Sequence, residues 1–124
     1  MNLDLLNEAE GFCQLQLWKD AWDVTEKLAK YEKANPEVAA LRLQIIIELA
    51  LWEEGEEVAD LLAESPAIEN RRMAAQYFLD RARETHAAGD HPEANRQFRK
   101  SLEKWPGIRR EFTARDSEIF GEDI

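Results

Sequence analysis

The chain of 124 residues contains one cysteine, Cys13, so no disulfide can close within it. Glycine and proline are scarce, at 5 and 4 residues, and the alternating apolar pattern that strands require is missing. No apolar run approaches the roughly 20 residues that span a bilayer. The most apolar stretch, residues 38–52, is interrupted by Arg42, Gln44 and Glu48. The first ten residues, MNLDLLNEAE, have neither a positive leader nor a long apolar core, so no secretion signal is expected. Together with the single thiol this predicts a cytoplasmic protein. Cationic residues are absent from residues 48–64, which carry seven acids. Such a surface repels phosphate backbones, so neither nucleic acid nor membrane is an expected partner.

Apolar residues make up 44% of the chain and charged residues 34%, the balance of an ordered globular chain of one domain, residues 1–124. The charge is uneven. Residues 1–66 hold 15 acids and 5 bases, whereas residues 67–124 hold 11 of each.

Apolar positions recur at three- and four-residue steps throughout, which predicts an all-α chain. Leu5, Leu6, Ala9, Phe12 and Cys13 form one face of a first helix. A second, after Leu17, carries Ala21, Trp22, Val24, Thr25, Leu28 and Ala29. Asn35-Pro36 supplies a cap and first-turn proline for a third helix reaching about Trp52, broken by Gly55. A short fourth carries Val58, Ala59, Leu61 and Leu62. A fifth begins near Asn70, with Met73, Tyr77, Phe78 and Ala82 inward, and stops at Gly89. Asp90, Pro92 and Glu93 start a sixth in a capping-box pattern. That helix buries Ala94, Phe98, Ser101, Leu102 and Trp105 and ends at Pro106-Gly107. A last short helix around residues 109–114 leaves Phe112, Ile119 and Phe120 to cover the end of the array. The last four residues are expected to fray.

Shifting the chain by 34 residues aligns LWKDAWDVTEKLA, from Leu17, with LWEEGEEVADLLA, from Leu51; five positions are identical: Leu17/Leu51, Trp18/Trp52, Val24/Val58, Leu28/Leu62 and Ala29/Ala63. A third stretch runs Phe78-x2-Arg81-Ala82-x2-Thr85, Gly89-Asp90, Ala94-x3-Phe98-x2-Ser101 and Pro106. Period and stretch together resemble the tetratricopeptide repeat, with aromatic, small residue, turn, alanine, aromatic and proline in order. Arg81 and Thr85 stand where that family prefers Leu and Tyr. The first unit places Leu5, Ala9, Phe12, Trp18, Ala21 and Leu28 at the same offsets. In the second, Leu43 and Gly55 stand at two small-residue positions that meet across the hairpin, where Gly55 makes room for Leu43. The third starts five residues late, through a longer linker or an extra turn in its first helix, and puts His91 at the Trp18/Trp52 position.

The resemblance implies a right-handed α-solenoid of about three helix hairpins, residues 2–35, 36–69 and 75–108, with a capping segment at 108–120. It further implies a noncatalytic interaction module that holds a peptide or helix of a partner protein in its concave groove. In that register the groove is lined by Leu6, Glu10, Cys13 and Gln14, then Ala40, Gln44, Ile47 and Glu48, then Gln76, Leu79, Arg83 and His86. An amphipathic, basic ligand suits this lining. Of the clamp residues with which some family members grip acidic chaperone tails, only Arg83 is matched. Alternatives are a self-associating subunit, such as a homodimer, and a small acidic secretion-type chaperone.

Chemistry has little purchase. His86, Asp90 and His91 are the candidates for metal or acid/base work, but Gly89 interrupts their helix and capping accounts for Asp90. Cys13 lacks the cationic neighbours that activate a thiol, and no phosphate loop, paired-carboxylate motif or zinc spacing occurs. No metal, cofactor or catalytic residue is expected.

Overall fold

In the computed structural model, which describes residues 2–121, two helix starts lie where polar caps stand in the sequence. Asn35 accepts the Glu37 N–H at 2.9 Å, and Pro36 opens the helix behind it. Asp90 accepts the Glu93 N–H at 3.2 Å ahead of Pro92. Glu93 does not return the bond as a capping box would; its carboxylate is drawn instead to Arg96 and Gln97.

All regular structure among the described residues is helical: α1 (Leu3–Gln14), α2 (Trp18–Glu26), α3 (Lys30–Lys33), α4 (Pro36–Leu49), α5 (Trp52–Ala63), α6 (Ile68–Ala87), α7 (His91–Lys104), a 3₁₀ turn (Pro106–Glu111) and α8 (Ala114–Phe120). Several boundaries differ from the sequence reading. The third expected helix ends at Leu49, because Ala50 turns left-handed, and Trp52 opens the next. Gly55 therefore breaks nothing. It lies buried inside α5, where a Cβ would overlap the Tyr77 ring and come within 2.9 Å of Ile46 Cγ2, so the room it leaves goes to Tyr77 and Ile46 rather than Leu43. The late third unit comes from α6, whose 20 residues begin before Asn70. The helix expected near 109–114 is instead the 3₁₀ turn followed by α8. α3 was not anticipated; the Glu32 carboxylate holds it by accepting the N–H groups of Ala29 and Asn2. Of the residues expected to fray, 122–124 lie outside the described residues.

Three turns in the chain share one geometry. Gln16, Ala50 and Gly89 have φ of 60°, 55° and 93°. Each is followed by a residue near φ −90° with ψ of 60–79° and then by a helix starting at Trp18, Trp52 or His91. Each is closed by the same long-reach bond: Leu17 N–H to the Phe12 carbonyl at 2.9 Å, Leu51 to Ile46 at 3.0 Å and Asp90 to Thr85 at 3.1 Å. This six-residue closure satisfies helix-end carbonyls and requires the left-handed residue. Glycine takes that conformation freely, whereas an L-residue is strained there by about 1–2 kcal/mol. Ala50 is exposed and has no packing to lose. Ala50→Gly is therefore expected to stabilise the chain by roughly 0.5 kcal/mol, after the added freedom of the unfolded glycine is subtracted. A higher urea midpoint at unchanged slope would register the gain; a lower midpoint would mean that the turn carries no strain.

Packing follows the turns. α1 pairs with α2, α4 with α5, and α6 with α7; α2 then meets α4, α5 meets α6, and α4 also touches α1 and α6. The main core gathers Ala21, Trp22, Leu43, Ile46, Leu62, Tyr77 and Phe78. A second cluster joins Leu79, Ala82 and Phe98 to Ile108 and Phe112, with Phe120 packed against it. Phe112 and Phe120 thus pack on Phe98 of α7. Ile119 is half-buried on α8. Between α2 and α4, Arg42 is buried over the Trp22 ring, 4.4 Å from its centroid, and donates to Thr25 Oγ1 and Glu26.

Candidate functional site

One face of α1, α4 and α6 is hollowed. Glu10, Cys13 and Gln14 of α1 face Leu41 and Gln44 of α4 around a first hollow. Gln44, Ile47 and Glu48 face Glu69, Arg72, Met73 and Gln76 of α6 around a second, of about 550 Å³. A third, of about 440 Å³, runs from Ile47, Glu48, Ala50 and Trp52 to Asp80, Arg83, Glu84 and Ala87. A fourth, of about 250 Å³, lies between Arg83, His86 and Ala87 and the α8 segment Thr113, Arg115, Asp116 and Ile119. Neighbouring hollows share Gln44, then Ile47 and Glu48, then Arg83 and Ala87. They form one continuous trough across the three helices.

Nine expected lining residues are brought together there: Glu10, Cys13, Gln14, Gln44, Ile47, Glu48, Gln76, Arg83 and His86. Two are not. Leu6 is buried against Leu28 and Val38. Leu79 is fully buried among Ala75, Ala82, Phe98 and Ile108, because that stripe of α6 faces α7 and the 3₁₀ turn. Sequence reasoning missed Glu69, Arg72, Met73, Asp80, Glu84 and Ala87. They continue the three- and four-residue step through Gln76 and Arg83 along α6, and starting the third unit at residue 75 discarded the first turns of that stripe.

Half-buried Leu41, Ile47 and Met73 give the trough its apolar surface, and around them stand the exposed Glu10, Glu48, Glu69 and Glu84, with Arg72, Arg83 and Arg115 towards α6 and α8. Glu48 is exposed and makes no ion pair among the described residues. Asp80 is half-buried, and burial pushes its carboxyl up despite hydrogen bonds from Gln76 and Arg83. Arg83 is gripped by Asp116 at 3.0 and 2.7 Å, which strengthens its hold on its proton. Burial and the charge of Glu10 push the Cys13 thiol up, the opposite of what a nucleophile needs. His86 stacks flat on His91 with ring centroids 4.4 Å apart. Among the described residues no three His, Cys, Asp or Glu side chains are grouped to hold a metal ion.

The acidic run does not act as a single surface. Glu56 of α5 receives Arg81, Arg96 and Gln97 at 3.0, 2.9 and 3.2 Å, and Asp60 pairs with Lys100 and Lys104 at 3.2 and 3.0 Å. Burial works to raise the Glu56 carboxyl, but the bonds from Arg96 and Gln97 and the charges of Lys100 and Arg96 outweigh it and hold the group at about 2. Hydrogen bonds from Arg96 and Gln97 hold Glu93 at about 2 as well. Both folded values lie below the ordinary 4.5. Their stabilisation is therefore complete above about pH 4.5 and is lost as pH falls towards 2. Glu56→Gln should lower stability at neutral pH and flatten this acid limb in urea midpoints taken across pH. An unchanged slope would place the acid sensitivity elsewhere.

No family model, curated protein or solved structure matches the chain. Among the described residues no helix is long and apolar enough to cross a membrane.

Proposed function

We propose that the protein is a noncatalytic, tetratricopeptide-like adaptor of the cytoplasm, a right-handed α-solenoid of three hairpins. Its trough holds an amphipathic, basic segment of a partner protein, with neither nucleic acid nor membrane as ligand. The trough across α1, α4 and α6 carries this reading: apolar Leu41, Ile47 and Met73 lie among the exposed carboxylates of Glu10, Glu48, Glu69 and Glu84, as a segment with apolar residues on one side and Lys or Arg on the other requires. Support for the repeat comes from the three like turns at Gln16, Ala50 and Gly89 and from the contacts of α4 with both α1 and α6.

Burial on Ile47 and Met73 supplies affinity in this reading, and the carboxylates supply orientation and association rate. Glu48→Lys should weaken binding by roughly 1–3 kcal/mol, the scale of a charged hydrogen bond, and leave the melting temperature within a degree or two. Salt should weaken wild-type binding in the same sense. A partner that binds both proteins equally, at any ionic strength, would move the working surface away from the trough.

Self-association is the second reading, favoured by Leu3, Leu15 and Leu17, which are 62%, 70% and 44% exposed on the first hairpin. Sedimentation across concentration separates the two, since an adaptor with an external ligand stays monomeric.

A further inference from the structure

We infer that α8 is a built-in occupant of the trough's far end, a strap that covers Arg83, His86 and Ala87 until it is displaced. The docking of α8 rests on its own contacts, and only the inhibitory consequence rests on the proposed function of the trough.

Two anchors hold the strap. At its start the Asp116 carboxylate, 2% exposed, takes the Arg83 fork through Nε at 3.0 Å and Nη2 at 2.7 Å. Arg83 Nη2 also donates to the Glu111 carbonyl just ahead of α8, at 3.3 Å. At its other end the Phe120 ring lies flat on Phe98, centroids 4.3 Å apart, and meets His86 edge-on at 6.0 Å. Between the anchors a hollow of about 250 Å³, open to solvent past the exposed Ala87, Thr113 and Arg115, separates α8 from α6. The backbone of α8 makes no extensive approach to any other element. A seven-residue helix held mainly by two side-chain anchors beside an open hollow belongs to the part of a structure that opens locally, before the core does.

Asp116 also couples docking to folding of the strap. The same carboxylate that binds Arg83 accepts the Thr113 N–H at 2.8 Å, and Thr113 Oγ1 accepts the Asp116 N–H in return. Loss of the Arg83 contact therefore frees the group that starts α8, and the helix and its docking go together. The hollow under α8 shares Arg83 and Ala87 with the rest of the trough. A polypeptide lying along α6 beyond Glu84 must take the place of α8.

The test uses the full chain and a labelled, end-blocked peptide of residues 112–121 supplied in trans. Asp116→Arg disables the resident strap and leaves its seat intact. A docked tether implies that the free segment binds below its effective concentration, on the order of millimolar. The variant should therefore bind the peptide below about 1 mM, and wild type at least about tenfold more weakly, because its own α8 competes. In hydrogen exchange, α8 amides of wild type should open about tenfold or more faster than those of α6 and α7. In the variant, protection should vanish from α8 alone. Asp116→Asn, which removes the charge with little change of shape, should behave in the same direction. The inference is overturned by absence of binding to the variant at millimolar peptide, by equal binding to both proteins, by α8 amides that exchange only with global unfolding, or by unfolding of α6 and α7 in both variants. Failure here strikes the strap, whereas a partner insensitive to Glu48→Lys strikes the trough.

Discussion

Phe98→Ala is expected to destabilise the chain by about 3–5 kcal/mol, the range for truncating a buried aromatic. Phe98 is 3% exposed, and three segments meet on its ring. Phe112 lies 4.9 Å away and Phe120 4.3 Å, centroid to centroid, while Leu79, Ala82 and Ile108 close the same cluster. Truncation would leave a cavity that cannot collapse, since α7 is held in place by Arg96, Gln97 and Lys100 on Glu56. Urea unfolding should show the full loss, and Leu102→Ala, at a half-buried position of the same helix, should cost distinctly less. A loss for Phe98→Ala under about 1 kcal/mol would mean that the C-terminal segment does not pack on this ring.

Gly55→Ala should cost about 1–3 kcal/mol, as overpacking of a core does. Helix propensity alone argues the opposite, a gain of about 1 kcal/mol for alanine over glycine in a helix interior. Contact geometry decides, because the new methyl group would overlap the Tyr77 ring. That ring is fully buried, and its hydroxyl donates to the Trp52 carbonyl, so it has no free direction to move. Tyr77→Leu on its own is also damaging, but the double variant should lose less than the sum of the two, a coupling that reports direct contact. If Gly55→Ala instead raises the melting temperature, Gly55 is an ordinary helix glycine.

The same glycine shows what the sequence could not reveal. A glycine within a helical pattern reads as a break, and its partner Tyr77 lies 22 residues further on, beyond any local signal. The actual break, at Ala50, carries no glycine to announce it. Helix starts at Asn35 and Asp90 were legible because a cap, a proline and the bonds they make all lie within one turn. The trough was legible in proportion. Gln44, Ile47 and Glu48 line one hollow together, and their common face follows from Asn35-Pro36, which fixes the phase of α4. α6 has no such start: Ala67 caps it without a side-chain bond, and its phase had to come from the repeat. Leu79 was assigned to the wrong face as a result, while the lining at Glu69, Arg72 and Met73 fell outside the unit. The seat of α8 on Arg83 joins residues 33 apart through a short helix with little periodicity to read.

The pairing of α5 with α7 has a kinetic side. Residues 48–64 carry seven acids and no base, whereas residues 96–104 carry four bases and one acid. These stretches attract each other in the unfolded chain, before either is a helix. Their meeting closes a loop of some forty residues, an entropic cost that opposes any distant encounter. An attraction that reaches a Debye length, about 8 Å at physiological salt and further in dilute buffer, biases that search toward the native pairing. Added salt should therefore slow refolding.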